Sequence, residues 1–229
     1  MKVIFVPAKH DTILTESAKS RVLMILKNKT KIGIVYVIQF KETAEKVISF
    51  LKENKKEIFT EFGKKPTEKG QILGCDVVSA EKITDKAECF LFIGDGKFHP
   101  MEVWNKTKKP VFIFNPVENS VYELDYLTAE KYEKRRIISL EKARTADVLG
   151  ILVSTKIGQS NLKTALELKE KIEKKGKKAF ILVFDTFDKE QMLNFPEISA
   201  YINTSCPRMS EDFFEKPLVN IEEYKKILI

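Results

Sequence analysis

With 229 residues, 43% of them apolar and 32% charged, the chain is long enough for two compact domains of roughly 100 residues each and too apolar to be a disordered segment. The 40 basic and 33 acidic residues leave a net charge of +7. Lysines alternate with glutamates, as in Lys52-Glu53-Asn54-Lys55-Lys56-Glu57, which is the pattern of solvated helix faces, so no direct nucleic-acid contact is expected.

No apolar run reaches the roughly 20 residues of a membrane span, and the opening Met1 to Pro7 is too short for a signal peptide. The chain is therefore read as cytoplasmic, with no membrane partner. Its three cysteines are odd in number and far apart, which argues against a secreted disulfide framework and leaves them free for metal or redox work. Abundant Lys and Glu with few Gly lean towards a thermophilic source.

Short runs rich in Val, Ile and Phe alternate with helix-period segments, which predicts an α/β fold with parallel sheets flanked by helices. The predicted strands are Lys2 to Val6, Ile32 to Ile38, Glu57 to Phe62, Cys89 to Ile93, Val111 to Phe114, Val148 to Ser154, Ala179 to Phe184 and Ala200 to Thr204. Ala44, Val47, Ile48 and Leu51 share one helical face, as do Leu162, Ala165, Leu168 and Ile172, with Gly176 placed to stop the second helix after Lys175. A long charged helix is predicted from Thr128 to Thr145, N-capped by Thr128, and is suited to joining two domains. Turn-forming residues from Asn115 to Ser120 place the boundary near residue 120, giving domains of 1–120 with Cys75 and 121–229 with Cys206. The halves share a plan, each an α/β unit with one cysteine in a loop.

Ligands of parallel sheets bind beyond the carboxyl ends of the strands. Four segments fall there: Gln71-Ile72-Leu73-Gly74-Cys75-Asp76, Phe92-Ile93-Gly94-Asp95-Gly96-Lys97-Phe98-His99-Pro100, Gly150 to Gln159, and Asn203-Thr204-Ser205-Cys206-Pro207-Arg208. A free cysteine is among the most buried residues and usually acts as a small hydrophobe. For Cys89, inside Cys89-Phe90-Leu91-Phe92-Ile93, the core reading wins. For Cys75 and Cys206 both readings stand, since a thiol at a strand end near backbone N–H groups has its thiolate favoured, and Pro207 suits the first position of a helical turn beside the positive Arg208. Asp76 is able to cap the segment after it. There is no Cys-x-x-Cys, no histidine cluster and no complete dinucleotide fingerprint at Gly94-x-Gly96. Backbone amides, Ser154, Thr155 and Lys156 suit a carboxylate or phosphate, although the order of Gly and Lys is not that of a Walker loop.

Together with Val6-Pro7-Ala8, Gly70 and the later Lys216-Pro217, these segments resemble, in order and across nearly the whole chain, the archaeal diphthamide synthase family, 2-(3-amino-3-carboxypropyl)histidine synthase. The resemblance implies three similar α/β domains, each giving one cysteine to a 4Fe-4S cluster. It makes Cys75 the second-domain ligand and Cys206 the third-domain ligand, with the family's first domain and its cysteine lacking from this chain. It further implies S-adenosylmethionine bound at the open iron, cleavage to a 3-amino-3-carboxypropyl radical, and attack on C2 of a histidine ring in elongation factor 2. Gly94, Asp95, Gly96, Phe98, His99, Ser154, Thr155, Lys156, Gly158, Gln159 and Arg208 become the residues that shape the S-adenosylmethionine pocket. Two thiolates leave a cluster underligated, so the expectation is a split enzyme: a separate chain supplies the first domain, and the assembly pairs further as family dimers do. Two other readings stand beside it, a non-catalytic subunit that stabilises a catalytic partner or relays electrons, and a nucleotide or sugar-nucleotide binder that shares only the fold.

Overall fold

A computed structural model describes residues 6, 8–211 and 214–228. The chain divides into two compact units, Met1–Ala129 and Glu130–Ile229. The first holds α1 (Glu16–Ile25), β1 (Lys31–Tyr36), α2 (Lys41–Glu53), β2 (Glu57–Phe59), α3 (Val78–Glu81), β3 (Cys89–Ile93), α4 (Phe98–Thr107), β4 (Val111–Asn115) and β5 (Ser120–Glu123). Helix α5 (Tyr126–Thr145) crosses the division, and the second unit continues with β6 (Val148–Ser154), α6 (Leu162–Glu173), β7 (Lys178–Phe184), β8 (Ala200–Asn203), β9 (Leu218–Asn220) and α7 (Ile221–Ile227).

The first sheet runs β2-β1-β3-β4-β5, all parallel except the last pair, and the second runs β7-β6-β8-β9, all parallel. The parallel parts have one topology: the first strand goes to its left neighbour and the chain then returns across it to the right. Each unit therefore has a switch point, between β1 and β3 and between β6 and β8, where loops diverge and leave a crevice at the carboxyl edge.

The apolar strands β3, β4 and β6 are buried on both faces, while the edge strand β7 leaves Phe180 and Val183 exposed. Cys89, Leu91 and Ile93 of β3 pack with α1 and α2 on one side, through Ala18, Val22, Ala44, Val47 and Leu51. Phe90 and Phe92 point the other way, against Ala80 of α3 and Val103 of α4. Each such fully buried large side chain contributes roughly 1.5–3 kcal/mol. In the second unit α6 covers one face through Ala165, Leu168 and Ile172, while the opposite face is covered by Met192 and Ile198 from non-α-helical segments.

Close packing at the switch points reveals a repeat. Gly33 of β1 pairs in register with Phe90 of β3, and Gly150 of β6 with Tyr201 of β8. A Cβ on either glycine would lie 2.6 Å from the partner's ring, with Ile83 or Ile198 as the next contact at 3.3 or 3.2 Å. The two halves thus solve the same packing problem with the same pair of residue types. Gly150→Ala is expected to cost about 1–3 kcal/mol through overpacking against the fully buried Tyr201, read as a lower urea midpoint.

Several sequence expectations need correction. The strand expected to reach Ile38 ends at Tyr36, because Ile38–Phe40 forms a 3-10 turn leading into α2. The strand expected to reach Phe62 ends at Phe59. Of the strand expected at Lys2 to Val6, residues 2–5 lie outside the described residues, and Val6 is exposed and in no strand. Residues 115–120 form the β4–β5 hairpin, where Asn115 Oδ1 accepts from Val117 N at 3.0 Å and Glu118 N at 3.3 Å, and the units part later, inside α5. Helix α5 begins before Thr128, with Asp125 accepting from Leu127 N at 3.1 Å and Thr128 N at 3.4 Å, so Asp125 is the cap. Helix α6 ends at Glu173, two residues before the stop expected after Lys175, and Gly176 turns the chain that follows at φ +78°. Among the described residues no helix is long and apolar enough to cross a membrane.

Candidate functional site

The carboxyl edge of the first sheet is extended by Gln71, which pairs in parallel with Tyr36 at the end of β1. The chain then folds back in a tight turn: Leu73 N donates to Asp76 O at 3.0 Å and Asp76 N to Leu73 O at 2.9 Å. Cys75 is exposed at the tip of that turn. Behind it, Asp76 is buried, and its carboxylate accepts from Lys64 N at 2.9 Å, Lys65 N at 2.6 Å and Val78 N at 3.1 Å. It therefore starts α3, as its position suggested, and also ties the loop after β2 to the cysteine turn.

Across the switch point, β3 ends in Gly94, whose N–H donates to Phe114 O at 3.1 Å. Asp95 accepts from Asn115 Nδ2 at 3.2 Å, and Gly96 turns the exposed chain at φ +75° into α4. Phe98 and His99 open α4. The His99 ring stacks on Phe92 with centroids 5.8 Å apart and meets Phe98 edge-on at 5.1 Å. A Cβ on Gly74 would stand 2.0 Å from Phe98 Cε1, so Phe98 rests directly on the residue before Cys75. The structure thus brings the Cys75 turn together with the Gly94 to His99 turn.

In the second unit β6 ends at the buried Ser154, whose N–H donates to Ser205 Oγ at 2.9 Å. Ser154 Oγ accepts from Lys156 N at 3.1 Å, Thr155 Oγ1 donates to Asp185 at 3.0 Å, and Gln159 N donates to Lys156 O at 3.0 Å. Gly158 supplies a positive φ of 80°. This loop is joined through Ser205 to the turn after β8 that carries Cys206, which is half-buried. Arg208 lies exposed in the 3-10 helix Pro207–Glu211, which begins at the proline as expected.

A carboxamide pair that sequence reasoning missed holds the Cys206 turn. Asn203, 1% exposed, donates to Cys206 O at 2.8 Å and to Asn220 Oδ1 at 2.9 Å, and accepts from Ser205 N at 2.8 Å. Asn220 then donates to Ser210 Oγ at 2.7 Å and Pro207 O at 3.3 Å. The available signal was a polar residue closing the apolar run Ala200-Tyr201-Ile202; its partner is set by the β8–β9 register, Asn203↔Asn220.

Cys89 differs from both. It is fully buried within β3, and burial pushes its thiol up to about 12, so it stays protonated and inert.

Two parallel α/β units that repeat one topology, each presenting a reachable thiol beside its switch-point crevice, define a duplicated cysteine-loop protein. The diphthamide synthesis protein family model matches residues 1–229, and the chain belongs to that family. It is 28% identical to the 2-(3-amino-3-carboxypropyl)histidine synthase of Pyrococcus horikoshii, covering 98% of this chain and 65% of that protein. It is 33% identical to subunit 1 of the synthase of Caenorhabditis elegans, over 68% of this chain and 39% of that one. The crystal structure of Dph2 from Pyrococcus horikoshii with a 4Fe-4S cluster superposes with a TM-score of 0.83 at 29% identity, over 98% of this chain and 64% of the other. The chain therefore spans just under two thirds of the archaeal relative's length and about two fifths of the nematode one's.

The donors fit an iron-sulfur cluster in kind. Cys75 and Cys206 are thiols on turns, reachable from outside, whereas Cys89 is sealed in the core. Among the described residues no group of three or more His, Cys, Asp or Glu is gathered to hold a metal. Each cysteine is thus insufficient to bind a metal by itself.

Proposed function

We propose that this chain is a subunit of the enzyme that transfers the 3-amino-3-carboxypropyl group of S-adenosylmethionine to a histidine of elongation factor 2, the first step of diphthamide biosynthesis. In this reading residues 1–129 correspond to the family's second domain and 130–229 to its third, and the enzyme works in the cytoplasm of an archaeon. Cys75 and Cys206 give two thiolates to a 4Fe-4S cluster, a separate chain carrying the family's first domain gives the third, and the assembly pairs further into a dimer. The observation that carries the reading is the contrast among the three cysteines: two on turns beside the switch points of repeated units, one closed in a core strand.

A reduced cluster held by Cys75, Cys206 and the partner chain's thiolate would supply the electron for breaking the bond between sulfur and the γ-carbon of the methionine part of S-adenosylmethionine. The chain's own residues bind and orient. Lys156, Arg208 and the Ser154 hydroxyl are suited to a carboxylate, beside Thr155, whose amide and hydroxyl already donate to Phe184 O and Asp185. Gly158 and Gln159 close that loop. Gly96, where an added Cβ would meet nothing within 4 Å, leaves room for close approach of a ligand to the backbone beside Asp95, Gly94 packs against Phe92 and Val37, and the Phe98 and His99 rings border the same turn.

The test is transfer itself. The chain, assembled anaerobically with the chain that carries the first domain, is given S-adenosylmethionine, a reductant and elongation factor 2, and the factor is mapped by mass spectrometry. One 3-amino-3-carboxypropyl group on one histidine is expected; an unmodified factor in the presence of a loaded, reducible cluster would rule the activity out.

A further inference from the structure

Lys65 Nζ lies 3.5 Å from Cys75 Sγ, within reach of an N–H···S hydrogen bond. The transfer proposed for this chain makes no use of that contact. The lysine does not reach the sulfur from an untethered loop. Its own backbone N–H and that of Lys64 are both held by Asp76, the residue after the cysteine. The approach is close enough to require glycine at position 63, where a Cβ would meet Pro66 Cδ at 2.7 Å and Asp76 Oδ1 at 3.2 Å. One buried carboxylate thereby fixes both the turn that presents the thiol and the segment that presents the ammonium.

We propose that Lys65 is a positioning and tuning residue for Cys75, donating a hydrogen bond to its sulfur when that sulfur ligates the cluster. The inference rests on Cys75 being a ligand. Adding one electron makes an iron-sulfur-thiolate unit more negative, and a positive donor on a ligand sulfur stabilises the more negative state, so Lys65 raises the reduction potential. It also limits the rotamers of Cys75 from which the sulfur can ligate. The corresponding cysteine of the second unit is treated differently among the described residues: its turn is held through the Cys206 carbonyl by Asn203. The two ligands are thereby made inequivalent.

Lys65→Met keeps most of the side chain's length and removes the charge and the donor; Lys65→Arg restores both. Each is assembled anaerobically as the complete complex, iron is counted, and the one-electron midpoint potential is read by a redox titration followed by electron paramagnetic resonance. Lys65→Met is expected to hold the same iron and to titrate at lower potential, with Lys65→Arg returning most of the shift. An unchanged potential in a fully loaded Lys65→Met complex overturns the assignment of Lys65 alone. A wild-type complex that binds no cluster, or a cluster that survives Cys75→Ala, overturns the reading of the site and this inference with it.

Discussion

Replacing Cys75 or Cys206 by alanine is expected to strip the cluster from the assembled enzyme and to lower group transfer by more than about 100-fold, since losing even an outer partner of a metal ligand typically costs 10–100-fold. Both thiols stand on hydrogen-bonded turns whose other members keep their places when the sulfur is removed. The Cys75 turn is closed by Leu73 and Asp76, and the Cys206 turn by Asn203 and Ser205. The alanine variants should therefore fold normally and fail only in iron content and product. Cys89→Ala is the control. Its thiol is buried and pushed up to about 12, so the change is expected to leave iron and activity intact and to cost only about 1 kcal/mol of stability. Undiminished transfer in either of the first two variants would favour a stabilising or electron-relay subunit over a ligand-bearing one.

Asn203→Leu is expected to destabilise the second unit by about 2–3 kcal/mol and to loosen the Cys206 turn. The carboxamide is buried at the end of β8 and makes three hydrogen bonds, to Cys206 O, Asn220 Oδ1 and Ser205 N. A leucine of similar size leaves all three partners unmet, and a buried group left without its partner costs about 1–3 kcal/mol. Ser205 and Cys206 are half-buried, so water recovers part of that loss and the total stays below the simple sum. Asn203→Asp should be worse, because it keeps the acceptor for Ser205 N but sets a carboxylate oxygen against the carbonyl of Cys206. Urea unfolding reads the stability, and the rate of Cys206 alkylation relative to Cys75, with peptides resolved by mass spectrometry, reads the loosening of the turn. A normal midpoint with an unchanged ratio would show that the pair does not hold the turn.

Strands that run apolar on both faces were legible from sequence: Cys89 to Ile93 has the bounds expected, and β6 matches from Val148 to Ser154. Strand β5, at Ser120–Glu123, was missed because it is short and only half-buried, and β9, at Leu218–Asn220, because three residues carry no period. The Gly33–Phe90 and Gly150–Tyr201 pairs were invisible for a different reason: each joins residues brought opposite one another only by strand register. The same holds for the polar contacts behind the cysteines. Asp76 could be read as a cap from its place in the chain, but its hold on Lys64 and Lys65 depends on how the loop after β2 folds back. Asn220 comes to Asn203 through the β8–β9 ladder. Local chemistry picked out the turns; the supports behind them belong to the tertiary fold.

The most direct test of the account is anaerobic reconstitution with iron and sulfide of this chain alone and of this chain with the one that carries the first domain, followed by iron counting and electron paramagnetic resonance. A stable cluster that cleaves S-adenosylmethionine is expected only in the assembled complex. A stable, cleaving cluster on this chain alone would contradict it.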